Sequence, residues 1–439
     1  MYYISIYHIF WSICQVFYEF AYNLYTYAYL VILSIIVILV IYIKLQYPFW
    51  SSQPVYHTYD FVRWFYLMIA QNPYLIQSKI VKTRFLSLDK VTTIPYSDIS
   101  SVQESEFVDS VQCHSFSNEN VLNILDTTTI QSLFIGMSYV SFFQEDQLSL
   151  DLSNNALVAK KCTIGCMSSR PIQCIISGTK IPAYFWDHIC VNRSREKEGK
   201  IPRKNIAYKM IQTHEYRQRL MQPNVGASIF KKEGGTLCDG VVPLVKFRIL
   251  TFELRTILKP PLPIDMTVVS VNANDVYDMI YGFTHSNMFT LCLFPEIESL
   301  IELIRKQIMF VYALKHKDRI LGVYFLKDTQ IVYDTNINAN ANANTNEGKL
   351  LECIASVDFD NSPLFFAGFL GALYNILEIA GKKGVFKTIR FPYLGNNNKI
   401  IEKWQWKYSP ISEIPAAYYI YNMIVPQMPI LQNKSLILL

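Results

Sequence analysis

The longest apolar run in the chain lies near its amino end. Leu24 to Ile43 contains twenty residues and no formal charge. As a helix this run is about 30 Å long, which matches the hydrocarbon core of a bilayer. β-Branched residues are frequent in it, but a lone strand in lipid leaves its backbone groups unpaired, so a helix is favoured. We therefore expect residues 24–43 to form a transmembrane helix.

The residues before this run, 1–23, are also apolar and aromatic. His8, Gln15 and Glu19 interrupt them. The segment either lies in the membrane interface or forms a second span, and the pattern does not decide between these. A cleaved signal peptide is the alternative interpretation of the amino end. It is disfavoured because the basic leading region of a signal peptide is missing and the apolar run is longer than the usual signal core.

The distribution of charge predicts an orientation in the membrane. Glu19 is the sole formal charge between Met1 and Ile43, and all 40 Lys and Arg residues follow, beginning with Lys44. Positive charge is retained on the cytosolic side of membranes. The sequence therefore predicts a single-pass membrane protein whose large carboxy-terminal part is cytosolic.

Beyond the anchor, short apolar segments and helical patterns follow one another in an order that occurs twice. The first region predicts strands over 162–166, 171–177 and 183–191, and a helix over 205–219. The second region predicts strands over 308–314, 320–326 and 350–359, a helix over 364–380, and a strand over 385–390. Gly381 stands where the cap of the second helix is expected. Two α/β lobes around a mixed sheet follow from this order.

Composition narrows the classes of function. The chain is 51% hydrophobic and 17% charged, so it can bury a large core and is not a disordered tail. Nine cysteines in 439 residues are too few for a disulfide scaffold. A net charge of +5 neither demands nor excludes nucleic acid and suits a polyanionic small ligand equally well. P-loop, GxSxG and paired-histidine zinc motifs are missing, and the Asn-rich tract 336–348 reads as a surface loop.

An aromatic segment, residues 47–55 with the sequence YPFWSSQPV, follows the anchor directly. It resembles the Tyr-x-Phe-Trp-x-Thr-Gln-Pro-Val segment that begins the catalytic region of eukaryotic glycylpeptide N-myristoyltransferases and lies against the CoA of myristoyl-CoA. The resemblance implies that Tyr47, Phe49 and Trp50 bind CoA, because aromatic faces can cover an adenine. The alternative is that Phe49 and Trp50 are interfacial residues that end the membrane span.

A second stretch, residues 183–192 with the sequence AYFWDHICVN, is similar to the family's strand ending Asn-Phe-Leu-Cys-Val-His. In the family, the backbone N–H groups of the Phe-Leu pair form an oxyanion hole, and the matching positions here are His188 and Ile189. Because the donors are main-chain groups, changed side chains need not remove this function. The alternative is a buried strand with a hydrogen-bonded histidine.

A third stretch, residues 200–207 with the sequence KIPRKNIA, opens the first predicted helix. It resembles the family's Arg-Ser-Lys-Arg-Leu-Ala motif, which is also a hallmark of the broader GNAT acyltransferase fold. Amides at a helix N-terminus with adjacent cations bind phosphates. The resemblance implies a site for the CoA pyrophosphate formed by Arg203, Lys204, Asn205, Ile206 and Ala207. A solvated basic turn is the alternative, and several extra residues separate this stretch from the preceding strand relative to the family.

The fourth stretch is the chain end, residues 433–439 with the sequence NKSLILL. Myristoyltransferases end in a short apolar segment whose terminal carboxylate is buried near the thioester and acts as general base for the glycine amine. The resemblance therefore implies that Leu439 supplies the base, and similarities at 382–386 and 418–422 support the match. Simple hydrophobic docking of the tail is the alternative, since an unattached chain end frays.

These stretches occur in family order and together predict the fold class and its division. We expect an α/β fold of the α+β type, with a mixed sheet in two tandem GNAT-like N-acyltransferase lobes and an amino-terminal transmembrane helix. The predicted segments are an apolar segment 1–23, the transmembrane helix 24–43, an acyl-CoA-binding lobe 47–247, and a peptide-binding lobe 248–439 that carries the terminal carboxylate.

The function that the resemblance implies is transfer of a fatty acyl group, expected to be myristoyl, from acyl-CoA to an N-terminal glycine of a protein. Acyl-CoA, glycine-terminated peptides and the membrane through residues 24–43 are the expected partners. No metal, permanently bound cofactor or nucleic acid is expected. The helix after Ala207 is shorter than in the family, so the acyl length stays open. The alternatives are a GNAT-type acyltransferase with a different acyl chain and a catalytically inactive membrane scaffold.

Overall fold

The computed structural model describes residues 2–69, 72–114, 121–151, 156–192, 202–235, 237–238, 240–285, 288–333, 348–379, 381 and 385–439. A long amino-terminal helix precedes a 15-stranded mixed sheet with helices packed against it. The expected α/β class with a large mixed sheet is confirmed.

Helix α1 (Tyr2–Gln46) is uninterrupted over 45 residues, about 68 Å at 1.5 Å per residue. Its stretch Gln15–Gln46 is long and apolar enough to cross a membrane, and none of the most apolar part is buried in the protein. The predicted transmembrane residues 24–43 lie within this stretch. Residues 2–23 continue the same helix. The chain does not turn back between residues 2–23 and 24–43, so these segments do not form two antiparallel spans.

Two further short elements, α2 (Phe61–Ile69) and β1 (Tyr74–Leu75), follow α1. The first half of the sheet region then contains β2 (Val91–Pro95), α3 (Ser101–His114), β3 (Val121–Asn123), α4 (Thr127–Leu133), β4 (Tyr139–Asp151), β5 (Ala156–Ile176), β6 (Thr179–Val191), α5 (Arg203–Met221), β7 (Ala227–Glu233) and β8 (Val245–Glu253).

The second half repeats much of this order. It contains β9 (Met266–Ser270), α6 (Asp275–His285), β10 (Leu291–Pro295), α7 (Ile297–Arg305), β11 (Met309–His316), β12 (Arg319–Tyr333), β13 (Gly348–Asp358), α8 (Phe365–Tyr374), β14 (Phe386–Pro392), α9 (Asn397–Gln405), β15 (Ser412–Tyr421), β16 (Met423–Ile424) and β17 (Ser435–Ile437).

Each half contains one parallel strand pair joined by a helix, β6–α5–β7 in the first and β13–α8–β14 in the second. The two halves exchange one strand each. β15 of the second half pairs with β7 of the first, and β8 of the first half pairs with β14 of the second. β8 and β15 also pair with each other. This exchange makes one continuous sheet across both halves. The predicted lobe boundary at position 247 falls within β8 and stays a prediction.

Helices cover β6 on both faces. Successive side chains of a strand point to opposite faces, and the neighbours Cys190 and Val191 belong to different hydrophobic clusters. Cys190 packs in the cluster that contains residues of α3 and α4, whereas Val191 packs in the cluster that contains residues of α5. The face of β6 under α5 is therefore distinct from the face under α3 and α4.

One sequence-based prediction about the strands is wrong. Strands over 162–166 and 171–177 with a polar turn between them were expected, but β5 runs unbroken through both. Ser168, Ser169 and Arg170 stay in register with β6, and their side chains are 0–2% exposed. Polar residues here mark an internal polar site rather than a turn.

The other predicted elements of the two regions are found; β12 runs to Tyr333, seven residues beyond its predicted end, and the remaining boundaries shift by four residues or fewer. The second helix, expected over 364–380, is α8 followed by a π-helical stretch, Asn375–Ile379. Gly381 has φ +67°, the left-handed conformation expected of a cap. The predicted loop 336–348 lies outside the described residues except for Gly348, which opens β13.

Candidate active site

The centre of the candidate site is a bulge in β6. Cys190 pairs with Cys166 and Asp187 pairs with Ser168, so two residues of β6, His188 and Ile189, lie opposite one residue of β5. An extra residue in one strand of an antiparallel pair is a β-bulge, which bends the strand and frees backbone groups from the ladder. His188 has φ +52°, a conformation that costs free energy for a residue with a Cβ.

The bulge lies where two parallel strands separate. β6 and β7 pair over Ala183–Trp186 and Ala227–Phe230, while the strands themselves continue to Val191 and Glu233. The pairing of β6 with β7 thus ends at Trp186, which directly precedes Asp187. A gap between parallel strands next to a bulge gives a ligand access to main-chain donors.

A cavity of about 420 Å³ borders this gap. Residues from both halves of the sheet line it, including Thr129 of α4, His188 and Ile189 of the bulge, and Lys327 of β12. The carboxy-terminal residue, Leu439, lines the same cavity. Because Thr129 belongs to α4, the cavity reaches the α4 face of the sheet, and Trp186 and Phe230 of the cluster under α5 line it as well.

The chain end reaches this cavity through regular strand pairing. β17 runs parallel to β10, with Cys292 opposite Leu436. The amide of Leu438 then donates to the carbonyl of Leu293 at 2.9 Å. Leu436, Ile437 and Leu438 are each 1–3% exposed. The last residues are therefore ordered by the sheet and do not fray.

A charged group lies directly at the bulge. Asp187 Oδ2 is 4.0 Å from Arg170 Nε and 3.6 Å from His188 Nδ1. Burial alone raises the pKa of Asp187, but His188, Arg170 and Lys327 outweigh it and hold this pKa below its usual value. Burial lowers the pKa of His188, against the opposing charge of Asp187. The aspartate is thus ionised and the histidine neutral at neutral pH.

The His188 amide already has a partner in this structure. Its N–H donates to Asp187 Oδ1 at 3.0 Å. The imidazole lies within 3.3 Å of Ser168 Oγ at Nδ1, and the ring packs edge-on against Phe107 and Phe134 of the α3 and α4 face. The side chain is therefore held by packing, while the carboxylate of Asp187 occupies the main-chain donor.

A second ionic group lines the opposite wall of the gap. Lys231 Nζ lies 2.7 Å from Glu233 Oε1, and Arg390 Nη2 binds the other carboxylate oxygen. Burial opposes ionisation of Glu233, yet Lys231 and Arg390 lower its pKa to about 2. Glu233 and Glu352 in turn raise the pKa of Lys231 against the effect of burial. This wall therefore stays ionised across the physiological range.

The residues predicted to bind CoA lie together on the α5 face. Phe49 is fully buried and stacks on Tyr208 of α5 at 4.3 Å, and Trp50 stacks on Phe230 at 5.5 Å. Tyr47 is half-buried beside the same cluster. The alternative that Phe49 and Trp50 end the span at the membrane interface is wrong, because both are buried in the protein.

The first turn of α5 begins at the end of β6. Arg203 Nη2 donates to the carbonyl of Val191 at 3.0 Å, so this guanidinium ties the helix start to the strand. Lys204 and Asn205 are exposed, whereas Ile206 is buried and Ala207 half-buried. Lys200 and Ile201 of the predicted segment lie outside the described residues.

Known proteins resemble this chain in structure but not in sequence. None of the protein-family models matches the sequence, and no curated protein sequence matches it significantly. Among solved structures, a crystal structure of Saccharomyces cerevisiae N-myristoyltransferase with bound myristoyl-CoA superposes with a TM-score of 0.62 at 11% identity, covering 88% of this chain and 90% of that one. A second structure of the yeast enzyme, with myristoyl-CoA and inhibitors, gives 0.62 at 12% identity over 90% and 94% of the chains. The chain has the N-myristoyltransferase fold.

Within this fold, the predicted site residues form two groups. His188, Ile189 and Leu439 line one cavity on the α4 face. The aromatic segment and the first turn of α5 lie on the α5 face. An N-myristoyltransferase fold with a long amino-terminal apolar helix is therefore the architecture of this protein.

Sequence reasoning missed the ionic groups around the cavity. Arg170, Asp187, Glu233 and Arg390 were not expected at a site, and Lys231 was expected only where the resembling family lines its peptide groove. The signal that could have found them is an ionisable residue inside a strand that is otherwise apolar, since such residues are buried only with partners.

Proposed function

We propose that this protein is a membrane-anchored N-acyltransferase that transfers a fatty acyl group, with myristoyl as the leading candidate, from acyl-CoA to an N-terminal glycine. The observation that carries the proposal is that the chain terminus at Leu439 and the bulge at His188 and Ile189 line one cavity. A base and main-chain donors facing one space are what attack of an amine on a thioester needs.

In the proposed complex, the CoA lies on the α5 face. The amides of the first turn of α5 and the exposed cation of Lys204 bind the pyrophosphate, because a helix N-terminus favours anions. Arg203 contributes by holding that turn against β6, since its guanidinium already donates to Val191. The thioester then reaches the gap between β6 and β7, where the bulge presents its amides.

The glycine amine enters from the cavity on the α4 face. The Leu439 carboxylate first accepts a proton from the glycine ammonium group, the neutral nitrogen attacks the thioester carbon, and the C–S bond breaks as the nitrogen's surplus proton passes to the departing thiolate of CoA. The developing negative charge on the thioester oxygen is stabilised by the His188 and Ile189 amides, each worth about 3 kcal/mol. When the thioester oxygen binds, the His188 amide donates to it in place of Asp187 Oδ1.

The proposed anchor is the apolar stretch of α1. Its length and its exposed apolar surface suit a bilayer, and the basic residues all follow it. The carboxy-terminal catalytic part is then cytosolic, by the positive-inside tendency.

One observation favours a shorter acyl chain as a second candidate. Phe230 stacks on Trp50, Trp186 and Tyr419 at 5.3–5.5 Å, and all four rings are 2–6% exposed. This aromatic ladder fills space on the α5 face next to the bulge, where a long acyl chain needs room. A catalytically inactive scaffold is the third candidate, and it rests on the hydrogen bond between Asp187 and the His188 amide.

The experiment offers acetyl-, octanoyl- and myristoyl-CoA to the detergent-solubilised full chain together with a library of glycine-terminated peptides. Product masses identify the transferred group. Myristoylated peptides support the leading proposal, and octanoyl or acetyl products support the second candidate. Acyl-CoA binding without any product supports the scaffold. Peptides with a blocked amino terminus serve as the control, because they offer no amine to acylate.

A further inference from the structure

Helix α2, Phe61–Ile69, presents an apolar surface to the outside of the protein. The helix has no acidic residue, and no residue in it is buried. Its apolar side chains that are at least half exposed are Phe61, Val62, Trp64, Phe65, Tyr66, Met68 and Ile69. So many large exposed apolar groups on one short helix mark an interaction surface.

Only a narrow strip of α2 faces the protein. Arg63 and Leu67, four positions apart and so on one side of the helix, are its half-buried residues. Arg63 is neutralised by Asp60, with Nη1 and Oδ2 3.0 Å apart. The remaining circumference is apolar and turned outward.

The protein body fixes α2 at both ends. Before the helix, the amide of Thr58 donates to the carbonyl of Gly240 at 2.7 Å, and the amide of Val242 donates to Tyr56 at 2.9 Å. After it, β1 pairs with β16, and the amide of Ile76 donates to Asn422 at 3.0 Å. The apolar surface therefore belongs to the folded body and is not part of a loose linker.

The same body holds the end of α1. Residues 47–60 connect the two helices, and Phe49 within them is fully buried. The stretch of α1 that is long enough to cross a membrane ends at Gln46. A span that inserts therefore holds the body at the bilayer surface within 14 residues of α2, and a helix with Trp and Tyr among its exposed apolar residues is stable in the interface.

We infer that α2 is a second membrane contact, which lies in the bilayer interface and orients the folded body on the membrane. The inference rests on the membrane anchor in the proposed function but not on acyl transfer. The partner is a lipid surface rather than a second protein, because α2 follows the anchor after only the 14 residues 47–60 and its one charged side chain, Arg63, is already paired with Asp60. Anionic lipid is not needed for this contact.

The test places nitroxide labels on the full chain in phosphatidylcholine proteoliposomes, with Cys14→Ser, Cys113→Ser and Cys162→Ser as background so that the introduced cysteine takes the label. Labels replace Val62 in α2, Leu258 as a matched control, and Val37 in α1 as a reporter of the span. Val62 and Leu258 are each 82% exposed, so they differ in surroundings and not in accessibility. Collisions with oxygen report lipid contact, and collisions with a water-soluble nickel chelate report water contact.

We expect the labels at 62 and 37 to favour oxygen over nickel, and the label at 258 to favour nickel. Adding Phe65→Glu should shift the label at 62 toward nickel while the protein keeps its thermal midpoint, because position 65 is exposed. Lipid contact at 37 with water contact at 62 would overturn the inference and leave the anchor standing. Low access of both reagents at 62 would also overturn it, since it indicates a protein contact. Water contact at 37 would refute the anchor and with it the inference of a second contact, whatever the label at 62 reports.

Discussion

Converting the terminal carboxylate of Leu439 to a carboxamide tests the proposed base with the smallest structural change. Ligation of a synthetic carboxy-terminal peptide installs the amide, which has nearly the same size but cannot accept the proton. Leu436 and Leu438 are each 1% exposed and the tail is held by β10, so the fold should tolerate the exchange. The change therefore removes the base and leaves the packing of the tail in place.

General-base catalysis contributes about 10²–10⁴-fold to a rate, which is about 3–5 kcal/mol of transition-state free energy. We expect a loss of this size in single-turnover acyl transfer to a glycine peptide. The loss should shrink as pH rises through the pKa of the peptide amine, about 8, because a neutral amine no longer needs the base.

Leu439→Ala is the matched control, since it keeps the carboxylate and removes the half-buried side chain. It should retain transfer and lose about 1–2 kcal/mol of stability, roughly half of a full Leu→Ala cavity. An unchanged rate in the carboxamide protein, or a loss that stays constant with pH, would refute the role of the carboxylate.

Three further predictions concern the surrounding structure. Lys204→Ala should raise the KM for acyl-CoA roughly tenfold or more, since a charged hydrogen bond is worth about 1.5–3 kcal/mol. Lys180→Ala is the control, because Lys180 is also exposed. Equal KM values for the two variants would contradict the phosphate site. Gly165→Ala should cost about 1–3 kcal/mol in urea unfolding because its Cβ meets Cys190 O at 2.8 Å, whereas Gly282→Ala, with open space around it, should be neutral or stabilising. Burial raises the pKa of Glu215 to about 7. The free energy of unfolding should therefore be highest below about pH 4.5, where Glu215 is protonated in both states, and should fall by up to about 3 kcal/mol as pH rises to about 7. Glu215→Gln should flatten that dependence in urea unfolding, and an unaltered slope would argue against a buried acid.

The large-scale order of elements could be predicted from the sequence because it depends on periodicity and caps. The helix that ends before Gly381 is an example, since apolar spacing and one left-handed glycine suffice to mark it. The exchange of β8 and β15 could not be predicted, because strand pairing depends on partners far apart in sequence. The unbroken β5 was missed because Ser168 and Arg170 look like turn residues until the buried partners of Arg170 are known.

Part of the site could be predicted from the family resemblance. It pointed to His188, Ile189 and Leu439, and the structure brings these three residues to one cavity. Asp187 was not identifiable, since nothing in the local pattern indicates that its carboxylate turns back onto the His188 amide. The wall formed by Lys231, Glu233 and Arg390 needs two strands, β7 of the first half and β14 of the second, and no local segment contains it.

The proposed mechanism is compatible with the same fold at only 11% identity to the yeast enzyme. Its main chemical groups are main-chain atoms: the amides of the bulge, the amides of the first turn of α5, and the terminal carboxylate. Side chains at these positions are free to change, as His188 illustrates, provided that the backbone keeps its path. The proposed mechanism then depends on the bulge in β6 and on the pairing of β17 with β10. Substitutions that straighten the bulge or detach the tail should therefore abolish transfer more completely than any single side-chain replacement inside the cavity.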